Sequence, residues 1–202
     1  MRARQQRVAI GSPDAAMKSL QRNGIVPVPV IETSRLRLRG HRCDDLPHCA
    51  AMWSDPAVTR FIGGKPLSEQ QTWARLLSYV GHWALMGFGY WVMEEKESGQ
   101  FVGEIGFADF KRDIAASMQG KPELGFALAS LFHGRGYASE AVAACLAWAD
   151  AHLPFPASVC LVHADNLASL RVLAKGGYEV FERGTYNEQP ALFLARAAAA
   201  TT

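Results

Sequence analysis

From residue 123 to 149 the chain reads ELGFALASLFHGRGYASEAVAACLAWA, an apolar run that ends in His133-Gly134-Arg135-Gly136. No acidic residue intervenes between Glu123 and Glu140, and an alanine-rich amphipathic segment begins directly after the second glycine. A helix N-terminus carries unbonded N–H groups and the positive end of the helix dipole, so it attracts anions. Glycine before it removes side chains that would block close approach and allows unusual backbone angles. With His133 and Arg135 alongside, the loop suits a pyrophosphate. An ordinary strand-to-helix turn that needs glycine fits the loop chemistry equally well.

Other phosphate motifs are excluded or weakened. The pattern G-x-x-x-x-G-K-[ST] of nucleoside triphosphate hydrolases occurs nowhere in the chain. GRGYAS approaches the dinucleotide fingerprint but ends in Ser139, and it follows four expected strands, whereas that fingerprint follows an early one.

The elements that position this loop follow from periodicity and punctuation. TSRLRLRGH alternates and reads as a first strand, with Leu36 and Leu38 on one face. DDLPHCAAMWSD gives a short helix capped by Asp44 or Asp45, and DPAVTRFIGGKPL reads as a loop. Ser68 opens a second helix with an S-x-x-Q capping box, and Gly87 closes it. Tyr90–Glu94 and Phe101–Phe110 form a hairpin through EKESGQ, followed by a polar connection. PELGFALA is a strand, and a helix runs from about Tyr137 to His152 with Val142, Cys145, Leu146, Ala149 and Leu153 on one face. ASVCLVHA, NLASLRVLAKGG, YEVFERG and ALFLAR then read as strand, helix, strand and closing strand. Glu123 to His163 is thus a βαβ unit whose strands lie parallel, and the fold class is mixed α/β.

Composition narrows the function. The chain has 202 residues, 49% hydrophobic and 20% charged, enough for one core. The expected division is a loosely ordered leader over 1–31, a single domain over 32–196 and a frayed tail over 197–202. A net charge of +2 without dense basic patches argues against nucleic acid. The four cysteines show no C-x-x-C pair and no zinc-ligand spacing, so no metal is expected, and Cys145 and Cys160 read as buried thiols of a reducing compartment. No apolar run is long enough to span a membrane, which with the thiols gives a cytoplasmic expectation.

HGRGYASEA followed by HADNLASLRVLAKGGY resembles the coenzyme A signature and the following motif of the GNAT N-acetyltransferases, in the branch of the ribosomal-protein N-terminal acetyltransferases. In the signature [QR]-x-x-G-x-[GA], His133, Gly136 and Ala138 fill the fixed places, and ETSRLRLR and GHWALMGFGYWVMEEKESGQFVGEIGF fit the same branch. The resemblance covers about Ile31 to Arg196. It implies a central mixed sheet with a splayed parallel pair and flanking helices. It also implies acetyl-CoA as cosubstrate, its pyrophosphate held by backbone N–H groups of His133, Gly134, Arg135, Gly136, Tyr137 and Ala138. The pantetheine arm would pair with Phe126, Ala127 and Leu128. His133 departs from the usual Gln or Arg, so side-chain help to the phosphates would depend on pH.

Acetyl transfer to an amine needs a neutral nucleophile, a polarised thioester carbonyl and a proton for the leaving thiolate. Asn166 and Ser169 form N-x-x-S at a helix entry, where both residue types also serve as caps. The resemblance assigns Asn166 to the cofactor arm and places Ser169 near the thiolate. Many relatives carry a tyrosine four residues after this serine; here Leu173 stands there, so Ser169 becomes the expected acid. Glu123 is the expected base, with Glu104 as rival, and His163 is a candidate for the acceptor cleft. Trp83, Phe88, Tyr90 and Trp91 read mainly as core, with one or two lining the acceptor pocket. The expectation is direct transfer to a primary amine, either a small molecule or a protein N-terminus, by a monomer or homodimer. The competing expectation is a non-catalytic acyl-CoA-binding or sensor module on the same fold.

Overall fold

The computed structural model describes residues 27–112 and 118–199. The expected leader before residue 27 and the end of the expected tail lie outside the described residues. The alternating segment near the start holds one short strand, β2 (Leu36–Arg39), and a further strand, β1 (Ile31–Glu32), precedes it. Thr33 makes the break: its N–H donates to the Leu36 carbonyl (2.9 Å) while its hydroxyl accepts from the Leu36 N–H (2.8 Å).

Helix α1 (Leu46–Trp53) follows a 3-10 turn at Cys43–Asp45. The carboxylate of Asp45 is not its cap, because Arg39 holds it at 2.7 and 2.8 Å and the Arg42 N–H donates to it at 2.6 Å. The segment expected to be loop contains a one-turn helix, α2 (Pro56–Thr59), whose Ala57 N–H donates to Asp55 at 2.8 Å. Helix α3 (Glu69–Met86) begins at the reciprocal Ser68–Gln71 capping box and ends at Gly87 in the left-handed region. Strands β3 (Tyr90–Glu95) and β4 (Phe101–Ala108) form the hairpin. Then come β5 (Glu123–Leu128), α4 (Tyr137–His152), β6 (Ala157–His163), α5 (Leu167–Lys175), β7 (Glu179–Tyr186) and β8 (Gln189–Ala197).

The strands form one sheet in the order β1-β2-β3-β4-β5-β6-β8-β7, antiparallel everywhere except β5–β6. That parallel pair is joined in register only at Glu123↔Val159, where the Val159 N–H donates to the Pro122 carbonyl (3.0 Å). Each strand keeps its outer neighbour along its length: β5 pairs with β4 from Glu123 to Leu128, and β6 pairs with β8 from Ala157 to His163. The two therefore part into a V, closed at Glu123 and open towards Leu128 and His163.

The sheet's two faces carry different helices. Leu124, Leu128, Ile105 and Phe107 pack with Tyr137, Val142, Cys145 and Leu146 of α4. On the opposite face Ala127 packs with Cys49, Met52 and Trp53 of α1 and Leu76 of α3. The stripe expected on α4 is buried from Val142 to Ala149, with Leu153 half-buried at its end.

Candidate active site

The glycine loop lies at the open end of the V. It leaves β5 through a 3-10 turn, Ser130–Phe132, and Gly136 is the N-cap of α4 at φ 82°. A glycine cap offers no side chain, and the first turn of α4 has no side-chain cap. Its N–H groups thus face outward over Gly134, Arg135 and Gly136, all exposed. Gly134 also has a positive φ, 74°, and a Cβ there would meet nothing within 4 Å. Ala138 is half-buried and Tyr137 buried, its ring against Phe132.

The imidazole of His133 is tied to β5. Its Nε2 lies 2.8 Å from the Leu128 carbonyl, a contact that requires the N–H on Nε2 and ties the loop back to the end of β5. That bond engages Nε2 of His133, and Arg135 is the exposed guanidinium of the loop.

A clamp that the sequence did not reveal fixes the first turn of α4. Glu140 accepts from Thr33 Oγ1 (2.6 Å), Ser34 Oγ (2.9 Å), the Arg35 N–H (2.9 Å) and Arg35 Nε (2.7 Å). Partial burial pushes its carboxyl up, but these donors win and hold it at about 2. Arg35 also donates through Nη1 to the Arg135 carbonyl (3.0 Å) and lies over the Tyr137 ring at 4.4 Å. The Tyr137 hydroxyl donates to Glu95.

Asn166 and Ser169 lie at the other arm of the V, just beyond β6. Asn166 caps α5, its side-chain oxygen accepting from the Ser169 N–H at 3.1 Å. Ser169 is half-buried, and its hydroxyl meets no hydrogen-bond partner among the described residues. Leu173 is fully buried. The His163 ring packs against Phe61 at 5.2 Å, and its Nδ1 accepts from the Asp165 N–H at 3.1 Å.

The two carboxylates separate clearly. Glu104 is 1% exposed and takes donors from His41 Nε2 (2.8 Å), Trp53 Nε1 (2.7 Å) and the Cys49 thiol (3.3 Å). Burial pushes its carboxyl up, and the His41, Trp53 and Cys49 contacts overcome this and bring it below the usual range. The donor atoms of His41, Cys49 and Glu104 lie within 4.8 Å of one another, a metal-capable trio that here is closed by its own hydrogen bonds. Glu123 sits at the closed end of the V, about 16 Å from Leu128 at 3.3 Å per residue. Arg112 grips it through Nε (2.9 Å) and Nη2 (3.1 Å) and donates through Nη1 to the Tyr186 hydroxyl (2.7 Å). A 380 Å³ pocket adjoins it, lined among others by Asp109, Phe110, Arg112, Lys121 and Glu123.

The acetyltransferase (GNAT) domain family matches residues 35–179 of this sequence, which includes the glycine loop, the V and the Asn166–Ser169 helix entry. The chain belongs to the GNAT acetyltransferase family. A GNAT-family acetyltransferase of Bordetella pertussis is similar in structure, with 30% identity, a TM-score of 0.76 and coverage of 84% of this chain and 99% of that one. An Agrobacterium tumefaciens acetyltransferase follows at 26% identity and TM-score 0.72, covering 84% of this chain and 95% of its own. In sequence, the uncharacterized Bacillus subtilis protein YkkB is 28% identical over 172 residues, 77% of this chain and 95% of that protein. The RimL ribosomal L7/L12 α-N-protein acetyltransferase bound to coenzyme A shares the fold at 15% identity and TM-score 0.68, over 84% of this chain and 98% of that one. GNAT membership accounts for the mixed sheet with its single parallel pair. Among the described residues no helix is long and apolar enough to cross a membrane.

Proposed function

We propose that this GNAT protein moves the acetyl group of acetyl-CoA directly to a primary amine within a ternary complex. The observation that carries the reading is the V between β5 and β6, joined only at Glu123↔Val159, with a side-chain-free helix N-terminus at its open end. The His133 N–H already donates to the Ser130 carbonyl at 3.1 Å, so the backbone N–H groups from Gly134 to Ala138 hold the pyrophosphate, with the α4 dipole adding to their pull. The pantetheine arm lies along β5 at Phe126, Ala127 and Leu128, where β6 has moved away and where the Leu128 carbonyl is already taken by His133. Asn166 orients the arm, and Ser169, with its hydroxyl uncommitted, protonates the departing thiolate.

Glu123 accepts the amine's proton through water, with Arg112 as its counter-charge, and the adjoining pocket receives the acceptor. Protein N-termini suit such a site better than lysines. An α-amine has a pKa near 8 and a lysine near 10.4, so the former needs far less help to become neutral at pH 7. The three buried cysteines are poor acetyl carriers, because burial raises the thiols of Cys49, Cys145 and Cys160 well above the ordinary range.

The test is a panel of N-terminal peptides, lysine peptides and polyamines with acetyl-CoA, read by release of free coenzyme A thiol. Turnover with at least one amine, together with thermal stabilisation by acetyl-CoA and none by NAD or ATP, is expected. Stabilisation by acetyl-CoA without turnover on any amine would favour the binding-module reading, and equal stabilisation by NAD would refute the coenzyme A assignment.

A further inference from the structure

Tyr90 opens β3 and stands in register with Gly106 of β4, which in turn stands in register with Gly125 of β5. The phenol runs across this lane of two glycines. Its hydroxyl lies where a side chain at residue 125 would begin, 2.1 Å from the position a Gly125 Cβ would take. No other residue type at 125 leaves room for it. The ring is held from behind by Tyr79, stacked at 4.1 Å with 4° between the planes, and the Tyr79 hydroxyl accepts from Arg75 Nη1 at 2.9 Å. The ring has little freedom to swing away.

The hydroxyl itself meets no hydrogen-bond partner among the described residues, although Tyr90 is only 5% exposed. A buried phenol without a partner is costly, so most find one. Among the described residues the one sealed side-chain polar atom lacking a partner is His41 Nδ1, and Gly125 and Phe126 beside the Tyr90 hydroxyl are half-buried rather than sealed. Gly125 lies two residues past Glu123, where the pairing with β6 stops. A pantetheine arm laid along Leu128, Ala127 and Phe126 brings its thioester to about this point.

We infer that the Tyr90 hydroxyl donates a hydrogen bond to the thioester carbonyl of acetyl-CoA and to the oxyanion that forms there. The inference rests on the acetyl-CoA reading above and adds to it a catalytic residue. During transfer the amine nitrogen forms its bond to the carbonyl carbon and the carbonyl oxygen takes up the electron pair. The amine's proton passes through water to Glu123, the oxyanion collapses, the C–S bond breaks, and the thiolate leaves with a proton from Ser169, which solvent returns. Tyr90 keeps its proton throughout. Burial, with Tyr79 and Glu123 nearby, raises its phenol well above the ordinary range, which suits a donor that must not ionise.

The test uses acetyl-CoA labelled with carbon-13 at the carbonyl, bound without acceptor, and reads the carbonyl stretch by difference infrared spectroscopy. Calorimetry first establishes that wild type binds acetyl-CoA; absence of binding there would defeat the coenzyme A reading itself, before Tyr90 is probed. Tyr90→Phe keeps the ring stack and is expected to bind acetyl-CoA within about threefold of wild type. Its bound carbonyl should absorb at higher frequency, as a bond freed of its donor does. Turnover with the best amine of the panel should fall about 10²–10³-fold, as when one oxyanion donor is removed. Gly125→Ala, whose Cβ takes the hydroxyl's place, should move the carbonyl band the same way and guards against a folding failure of the first variant. A carbonyl band at the wild-type frequency in Tyr90→Phe would overturn the assignment.

Discussion

Replacing Gly136 by glutamate tests the glycine loop through two separable effects. The first is strain: at φ 82° a residue with a Cβ pays about 1–2 kcal/mol, and the nearest atom to that Cβ is Arg35 Nη2 at 3.4 Å, an ordinary contact. At about 2–4 °C per kcal/mol for a chain of this size, the melting temperature should drop by only a few degrees. The second effect is charge. One negative group about 5 Å from a dianionic pyrophosphate costs about 2 kcal/mol in a water-like dielectric and about 7 kcal/mol at an effective dielectric near 20. Binding should thus weaken at least about thirtyfold. Gly136→Ala carries the same strain without the charge, so the difference between the two variants isolates the electrostatic part. Arg35 does not readily neutralise the new carboxylate, because its Nη2 already pairs with Glu140 at 2.7 Å and its Nη1 with the Arg135 carbonyl at 3.0 Å. Calorimetry with coenzyme A, alongside a cooperative melt to establish folding, reads both. If Gly136→Glu bound coenzyme A as tightly as Gly136→Ala, the loop would be a turn and nothing more.

Ser169→Ala should lower turnover about 10²–10⁴-fold with acetyl-CoA affinity preserved, measured by steady-state kinetics and calorimetry; weakened binding with unchanged turnover at saturation would assign the serine to the cofactor arm. Glu140 supplies a pH dependence of stability. Its carboxyl is held at about 2 against an ordinary 4.5, so its contribution is complete above about 4.5 and is lost as pH falls towards 2. Glu140→Gln should cost about 1–3 kcal/mol near neutral pH and flatten the acid limb of the stability curve, read by denaturant melts at several pH values. An unchanged acid limb would show that the clamp to Thr33, Ser34 and Arg35 contributes nothing.

The sequence revealed what local chemistry determines. The helix from Tyr137, the Ser68–Gln71 box and the Gly87 stop are each set by residues a few places apart, and each stands where expected. Pairing across the sheet was less legible. Nothing in YEVFERG and ALFLAR tells that the later strand inserts beside β6 and leaves the exposed β7 at the edge. The short strand Ile31–Glu32 was not legible, because two residues ahead of the Thr33 turn carry no alternation of their own. In the site, the loop was legible because glycine and a helix start are adjacent in sequence. The Arg35–Glu140 clamp was not, since its partners lie 105 residues apart and both look like surface charges. Tyr90 was read among core and pocket aromatics, and only the register Tyr90↔Gly106↔Gly125 shows where its hydroxyl goes. His133 filled a signature place, and its imidazole bonds the Leu128 carbonyl, a contact the signature does not show.

The central claim is that the backbone amides before and within the first turn of α4 hold the phosphates of acetyl-CoA. Residue-resolved amide hydrogen exchange, with and without saturating acetyl-CoA, tests it most directly. The amides from Gly134 to Ser139 lie at a glycine cap with no side-chain cap, Gly134 to Gly136 exposed, so ligand contact should slow their exchange at least about tenfold. Binding of acetyl-CoA by calorimetry with unchanged exchange at these amides would contradict the account.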